Sequence, residues 1–172
     1  MLFALETAEN LNATGVKFEQ GKAFLSGYET NWVSDDQKAK LDESGIRSFD
    51  LNEVLTYHLS NVLRRYAHEF ISLQETRLLF DHMEREAPEL VREVQRVLPL
   101  QKITDVFQRL VQEGICIRDL KRITQTLIEW GQKEKDTVLL VEYVRSALSR
   151  YISYKFSGGQ NIIAAYLLDP AL

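Results

Sequence analysis

The sequence predicts an α+β fold that is predominantly helical, a small mixed strand-and-helix part followed by a compact multi-helix part. Three observations lead there. Residues 1–33 hold short apolar runs broken by Asn, Gly and Gln, whereas from Ser34 onward apolar residues recur at three- and four-residue steps. Helix-start signals and glycine stops punctuate that second stretch. With 172 residues, 45% apolar and 27% charged, the chain can bury one core, or one lobe and part of a second.

Taken in order, Leu2 to Leu5 and Ala23 to Leu25 read as one or two strands joined by loops. Ser34 can cap a short helix that stops at Ser44-Gly45, where glycine accepts a left-handed backbone. Asp50 followed by Glu53 has the reciprocal capping pattern and opens the next helix. Leu51, Val54, Leu55, Leu59, Val62, Leu63, Tyr66 and Phe70 then form what the period predicts to be a buried stripe. Ser72 and Glu75 repeat the capping signal, with Leu73, Leu79, Phe80 and Met83 expected inside. Pro88 restarts the chain at a first-turn position, where its missing amide hydrogen costs nothing. After Pro99, Ile103, Val106, Phe107, Leu110 and Val111 mark a helix ending at Gly114; Ile117, Leu120, Ile123, Leu127 and Trp130 mark another ending at Gly131. Asp136 caps a last long helix carrying Leu140, Val144, Ala147, Leu148 and Tyr151 inward. Ser157 to Gln160 reads as a turn and Ile162 to Leu168 as a strand that needs further chain to pair with. No internal repeat and no low-complexity linker stands out.

The composition excludes several functions. A net charge of −4 gives no general field for polyanions. No apolar run is long enough to span a bilayer, and Met1 to Glu6 lacks the basic leader of a secretory signal. The single cysteine, Cys116, forbids an internal disulfide and suits a reducing compartment.

Nor does any constellation argue for catalysis, a cofactor or a metal. His58, His68 and His82 show no i, i+4 pair and no CxxC exists. His58, on the apolar stripe, reads as a hydrogen-bonded core histidine, and Cys116, between Ile115 and Ile117, as a small buried hydrophobe. Gly158-Gly159 follows a helix and so offers no helix amino terminus to a phosphate. The turn at Gly114 and the basic helix from Arg118 to Arg122 resemble a helix-turn-helix reader of DNA. Against that alternative, Asp119 interrupts the basic cluster and no basic arm flanks it.

The same helices carry a pattern of ordered blocks. Tyr57-His58-Leu59-Ser60 is followed by ISLQETR from Ile71 to Arg77 and PELVREVQRVLPLQK from Pro88 to Lys102. FQRLV follows from Phe107, IRDL from Ile117, EWGQKEKD from Glu129 and EYVRSAL from Glu142. From Asp50 to Phe156 the chain resembles the export-gate family of flagellar and injectisome type III secretion, and the last blocks look like its virulence branch. Trp32-Val33 and Gly45 extend the match weakly upstream; residues 1–26 match nothing in it.

That resemblance implies a protein-docking part and not an enzyme. Residues 1–71 would end a mixed subdomain, 72–156 would be a helical subdomain, and 157–172 a linker and first strand of an absent carboxy-terminal lobe. The partners implied are other secretion-apparatus proteins, chaperone–substrate complexes and a gatekeeper, with a nonameric ring in the intact protein. Nucleic acid is not implied, and membrane contact would come only through an absent amino-terminal region, at the cytoplasmic face of the bacterial inner membrane. Chaperones of flagellar members dock in an apolar dimple, whose counterpart here would involve Phe70, Ile71, Leu98, Leu100 and Lys102. Two readings stay open: these residues merely pack a subdomain junction, or Ile71 stands partly exposed beside Lys102 as an anchor in a shallow pocket.

Overall fold

The computed structural model describes residues 1–22, 29–160 and 162–163. The chain divides into two units, Met1–Arg64 and Arg65–Leu172.

The first unit is two interleaved β-α-β passes. In one, β1 (Leu2–Ala4) leads through α1 (Ala8–Ala13) to β2 (Phe18–Gln20). In the other, β3 (Asn31–Val33) leads through a 3-10 turn (Asp35–Gln37) and α2 (Lys38–Glu43) to β4 (Ser48–Phe49). The strands lie in the order β2-β3-β1-β4, every neighbour antiparallel, so each crossover straddles a strand of the other pass. The pleat turns Leu2 and Ala4 to one face and Phe3 to the other. Leu2, Ala4 and Val33 pack with Leu11 of α1 and Leu41 of α2. Phe3 meets Val54 of α3 (Leu51–Arg65), with Trp32 and Phe49 against them.

The two passes end their helices the same way. After α1, Gly15 has φ 69° and the Val16 amide donates to the Leu11 carbonyl at 3.3 Å. After α2, Gly45 has φ 68° and the Ile46 amide donates to the Leu41 carbonyl at 2.9 Å. In each, the left-handed glycine turns the chain back so that the next apolar residue packs on the helix. This structural repeat was not visible as a sequence repeat, because six-residue helices share too few positions. The strand expected at Ala23 to Leu25 lies outside the described residues, and α1, β2, β3 and β4 replace the loops expected around it. Ser34 opens the 3-10 turn and makes no side-chain cap bond.

α3 opens as expected: the Asp50 amide donates to Glu53 Oε2 at 2.8 Å and the Glu53 amide to Asp50 Oδ1 at 2.8 Å. Its apolar stripe, however, is not buried. Val54 is the buried residue of this helix, while Leu51, Leu55 and Leu59 are 56–58% exposed. Helical period shows which face needs a cover; it does not supply one. His58 is half-buried and not a core residue.

In the second unit a 3-10 turn (Ala67–Phe70) is followed by α4 (Leu73–Glu84), α5 (Pro88–Val97), α6 (Leu100–Gln112), α7 (Leu120–Gly131), α8 (Thr137–Ala147) and α9 (Ser149–Ser157). Ser72 and Glu75 form the reciprocal cap of α4, and the Asp136 carboxylate caps α8 by accepting the Val138 amide at 2.8 Å. The core runs through Phe80, Val94, Ile103, Phe107, Leu110, Ile123, Leu127, Leu140 and Val144. Phe80 and Phe107 meet edge to face at 6.2 Å and 75°. α4 and α6 also share a buried polar contact, where the Thr76 hydroxyl accepts from that of Thr104 at 2.9 Å. Trp130 stacks on Tyr143 at 3.9 Å and 4°, which joins α7 to α8.

Some expectations for this unit are corrected. The last long helix is two, α8 and α9, broken at Leu148, and Tyr151 is 39% exposed. Leu73 faces outward at the first turn of α4, and Cys116 is half-buried. α7 does end at Gly131, but this glycine has no positive φ. A side chain there would sit 2.8 Å from Leu98 Cγ and Val97 Cγ1, so it marks a close approach of α5 to α7. Of the expected strand from Ile162 to Leu168, Ile162 and Ile163 have no regular structure, and the rest lies outside the described residues.

Candidate functional site

In the first unit, β1, β4 and α3 leave an apolar groove of about 210 Å³ lined by Phe3, Leu5, Phe49, Val54 and Tyr57, with Arg47 and Glu53 as its charged groups. Each lining residue has a local cause. Phe3 pairs in register with Phe49 across β1 and β4, their rings 6.5 Å apart, and Trp32 braces Phe3 edge-on at 5.7 Å. Just past the strand, the Leu5 amide donates to the Arg47 carbonyl at 3.0 Å, which fixes Arg47 beside the floor. Phe49 and Val54 flank the Asp50–Glu53 cap at the positions of a hydrophobic staple. Tyr57, one turn further along α3, is 47% exposed.

The charged groups differ in what they already hold. Glu53 accepts the Asp50 amide. The Arg47 side chain is exposed and makes neither an ion pair nor a side-chain hydrogen bond among the described residues. The groove is small beside cofactor sites, which run to about 300–1,000 Å³. Its size suits one or two inserted side chains.

The five residues expected as a docking site lie in the second unit, and none of them lines the groove above or the two hollows described below. Phe70 ends the 3-10 turn and is 63% exposed. Ile71 is buried, and its carbonyl accepts Gln108 Nε2 at 2.6 Å. Leu98 is buried against Gly131, and Leu100 is half-buried at the start of α6. Lys102 Nζ donates to the Lys135 carbonyl at 2.5 Å. Six residue steps along α6, roughly 9 Å of axis, separate Lys102 from Gln108, where Ile71 is held. The partial exposure of Ile71 beside Lys102 is therefore not found: the 3-10 turn and the Ser72 cap draw its backbone onto α6. Of the five, Phe70 alone is left as an open apolar anchor.

Two other hollows in the second unit are polar. One is lined by His68, Asp105, Gln108, Arg109, Gln112 and Thr137, the other by residues around His82 and Lys121. In the second, Lys121 pairs with Glu86 at 3.0 Å and the Asp119 carboxylate caps α7 through the Arg122 amide at 3.2 Å. That helix thus spends a cation and an acid on its own fold, which weakens the DNA-reading alternative. Among the described residues no helix is long and apolar enough to cross a membrane.

Comparison with known proteins now adds to this geometry. The pattern of the FHIPEP family matches residues 1–172, which corrects the expectation that residues 1–26 have no counterpart in it. "Low calcium response locus protein D" of Yersinia pestis is 48% identical over 168 residues, covering 98% of this chain and 24% of that protein. "Invasion protein InvA" of Salmonella typhimurium (strain LT2) is 36% identical over 133 residues, 77% of this chain and 19% of that protein. The structure of the Chlamydia pneumoniae CdsV protein superposes with a TM-score of 0.83 at 47% identity, covering 99% of this chain and 49% of that one. The cryo-EM structure of nonameric EPEC SctV-C gives 0.68 at 39% identity, covering 92% and 48%. The chain thus spans about a fifth to a quarter of the length of these two relatives. Capped helices, an interleaved sheet and ordered sequence blocks agree with these matches over essentially the whole length, and the chain belongs to the FHIPEP family, on its virulence-associated type III secretion side.

Proposed function

We propose that this chain is a cytoplasmic docking part of a type III secretion export gate, which receives chaperone–substrate complexes and a gatekeeper at the inner face of the bacterial inner membrane. It does this by binding, without a reaction of its own. The observation that carries the reading is the open apolar groove of the first unit, floored by Phe3 and Phe49 and edged by Tyr57. Desolvated aromatic floors with charged rims are where protein–protein binding energy concentrates. In this reading residues 1–71 form the mixed subdomain and 72–156 the helical one. The nonameric SctV-C relative supports a ring for the longer protein, and the CdsV and CdsO complex of Chlamydia pneumoniae supports contact with other apparatus proteins.

Tyr57→Asp tests the groove. The residue is half out in solvent, so the variant keeps its circular dichroism spectrum. Calorimetry with a chaperone–substrate complex of the same secretion system is expected to show binding about tenfold weaker or more, in the range of interface anchors. Wild-type affinity in the variant would move the dock elsewhere. Phe70→Ala examines the expectation from the resemblance in the same assay: a comparable loss there places a docking contact on the second unit.

A further inference from the structure

The charged groups of the groove are not equivalent. Arg47 and Glu53 are the ionised groups in its lining. The Glu53 carboxylate is committed to the amino terminus of α3: its Oε2 accepts the Asp50 amide at 2.8 Å, while its own amide donates to Asp50 Oδ1. It is held in place by the helix it caps, and turning it toward a ligand would uncover the Asp50 amide. Arg47 is the opposite case. Its backbone is anchored, with its carbonyl accepting the Leu5 amide at 3.0 Å. Its guanidinium has no carboxylate partner among the described residues, although ion pairs form readily elsewhere, as at Arg92–Glu89, Arg96–Glu93 and Arg145–Glu113. A guanidinium presents a planar fork of donors matched to a carboxylate. Beside it lies an apolar floor that takes one or two side chains.

We propose that this groove recognises a partner-protein segment in which an aromatic or large aliphatic residue is followed closely by Asp or Glu. The apolar side chain seats on Phe3, Phe49 and Tyr57, and the carboxylate pairs with Arg47. This rests on the docking reading above and adds which segment is chosen. The apolar contact supplies affinity; the rim pair, being exposed, supplies selectivity and register more than strength.

The test uses three blocked dipeptides, N-acetyl-Phe-Glu-amide, N-acetyl-Phe-Gln-amide and N-acetyl-Phe-Lys-amide. Each is titrated into the full 172-residue chain and into its Arg47→Glu variant, following methyl and aromatic NMR signals of Leu5, Val54 and Tyr57. In the native chain the Glu peptide is expected to bind about three- to fivefold tighter than the Gln peptide, with the Lys peptide weakest. The order should reverse in Arg47→Glu, and the gap should narrow at 0.5 M salt. Arg47 is exposed, so the variant folds; its unchanged spectrum outside the groove checks this. Equal binding of all three peptides at the groove overturns the carboxylate preference and leaves the apolar dock standing. Perturbations that never involve the groove signals overturn this proposal and the groove reading together. A Glu preference that survives Arg47→Glu assigns the selection to another cation and overturns the role given to Arg47.

Discussion

Phe107 is fully buried and meets Phe80 edge to face at the centre of the helical unit. Truncating it removes a large apolar contact and leaves a hole that surrounding helices close only in part. Phe107→Ala is therefore expected to cost about 3–5 kcal/mol, read as a lower urea midpoint with the slope unchanged. A midpoint within error of wild type would put the inner face of α6 elsewhere. Phe107 was legible from the sequence because it lies within a dense run of apolar positions, Ile103, Val106, Leu110 and Val111, repeating at helical spacing. Ile71 was not, because it sits between elements, where period says nothing and the 3-10 turn decides burial. Arg47 was equally silent: an exposed arginine acquires meaning only when Leu5, Phe49 and Tyr57 are seen around it.

Elements here are set mainly at their ends. Asp50–Glu53 and Ser72–Glu75 are reciprocal caps readable in the sequence, and both form. Leu110-Gly114-Ile115 repeats the helix stop seen twice in the first unit, with Gly114 at φ 70° and the Ile115 amide donating to the Leu110 carbonyl at 2.8 Å. The α4 cap has a pH signature. The Glu75 carboxylate accepts the Ser72 hydroxyl and then the Ser72 amide, and these bonds hold its pKa below the ordinary carboxylate range. A lowered folded-state pKa contributes stability that is complete above the unfolded value, about 4.3 for glutamate, and is lost as pH falls through the folded one. Glu75→Gln keeps a bonding oxygen but cannot titrate. Its thermal midpoint is expected to fall less than that of the native chain between pH 6 and pH 3. Parallel falls in the two proteins would rule out this contribution.

At the scale of the whole molecule, assembly is the open property. The chain covers 48% of the nonameric EPEC SctV-C chain that it superposes on, and a closed ring needs a sufficient interface on both sides of every subunit. The isolated 172-residue chain is expected to sediment as a monomer or weak oligomer at micromolar concentration. A stable nonamer in analytical ultracentrifugation would show that these residues alone hold the ring interface.

By itself the sequence determined the helices of the second unit, their caps and most of their inner faces, as well as the family. Those features are local: a capping pair, a glycine stop and a 3.6-residue period act within a few turns of chain, and ordered blocks need no coordinates. Tertiary structure alone decided the interleaved sheet, the open face of α3, the burial of Ile71 and the groove. Three-residue strands carry too short an alternation to be read, and their order depends on pairings between distant segments. A groove exists only where β1, β4 and α3 meet, because a helix period can say that a face is apolar but not what it will find to pack against.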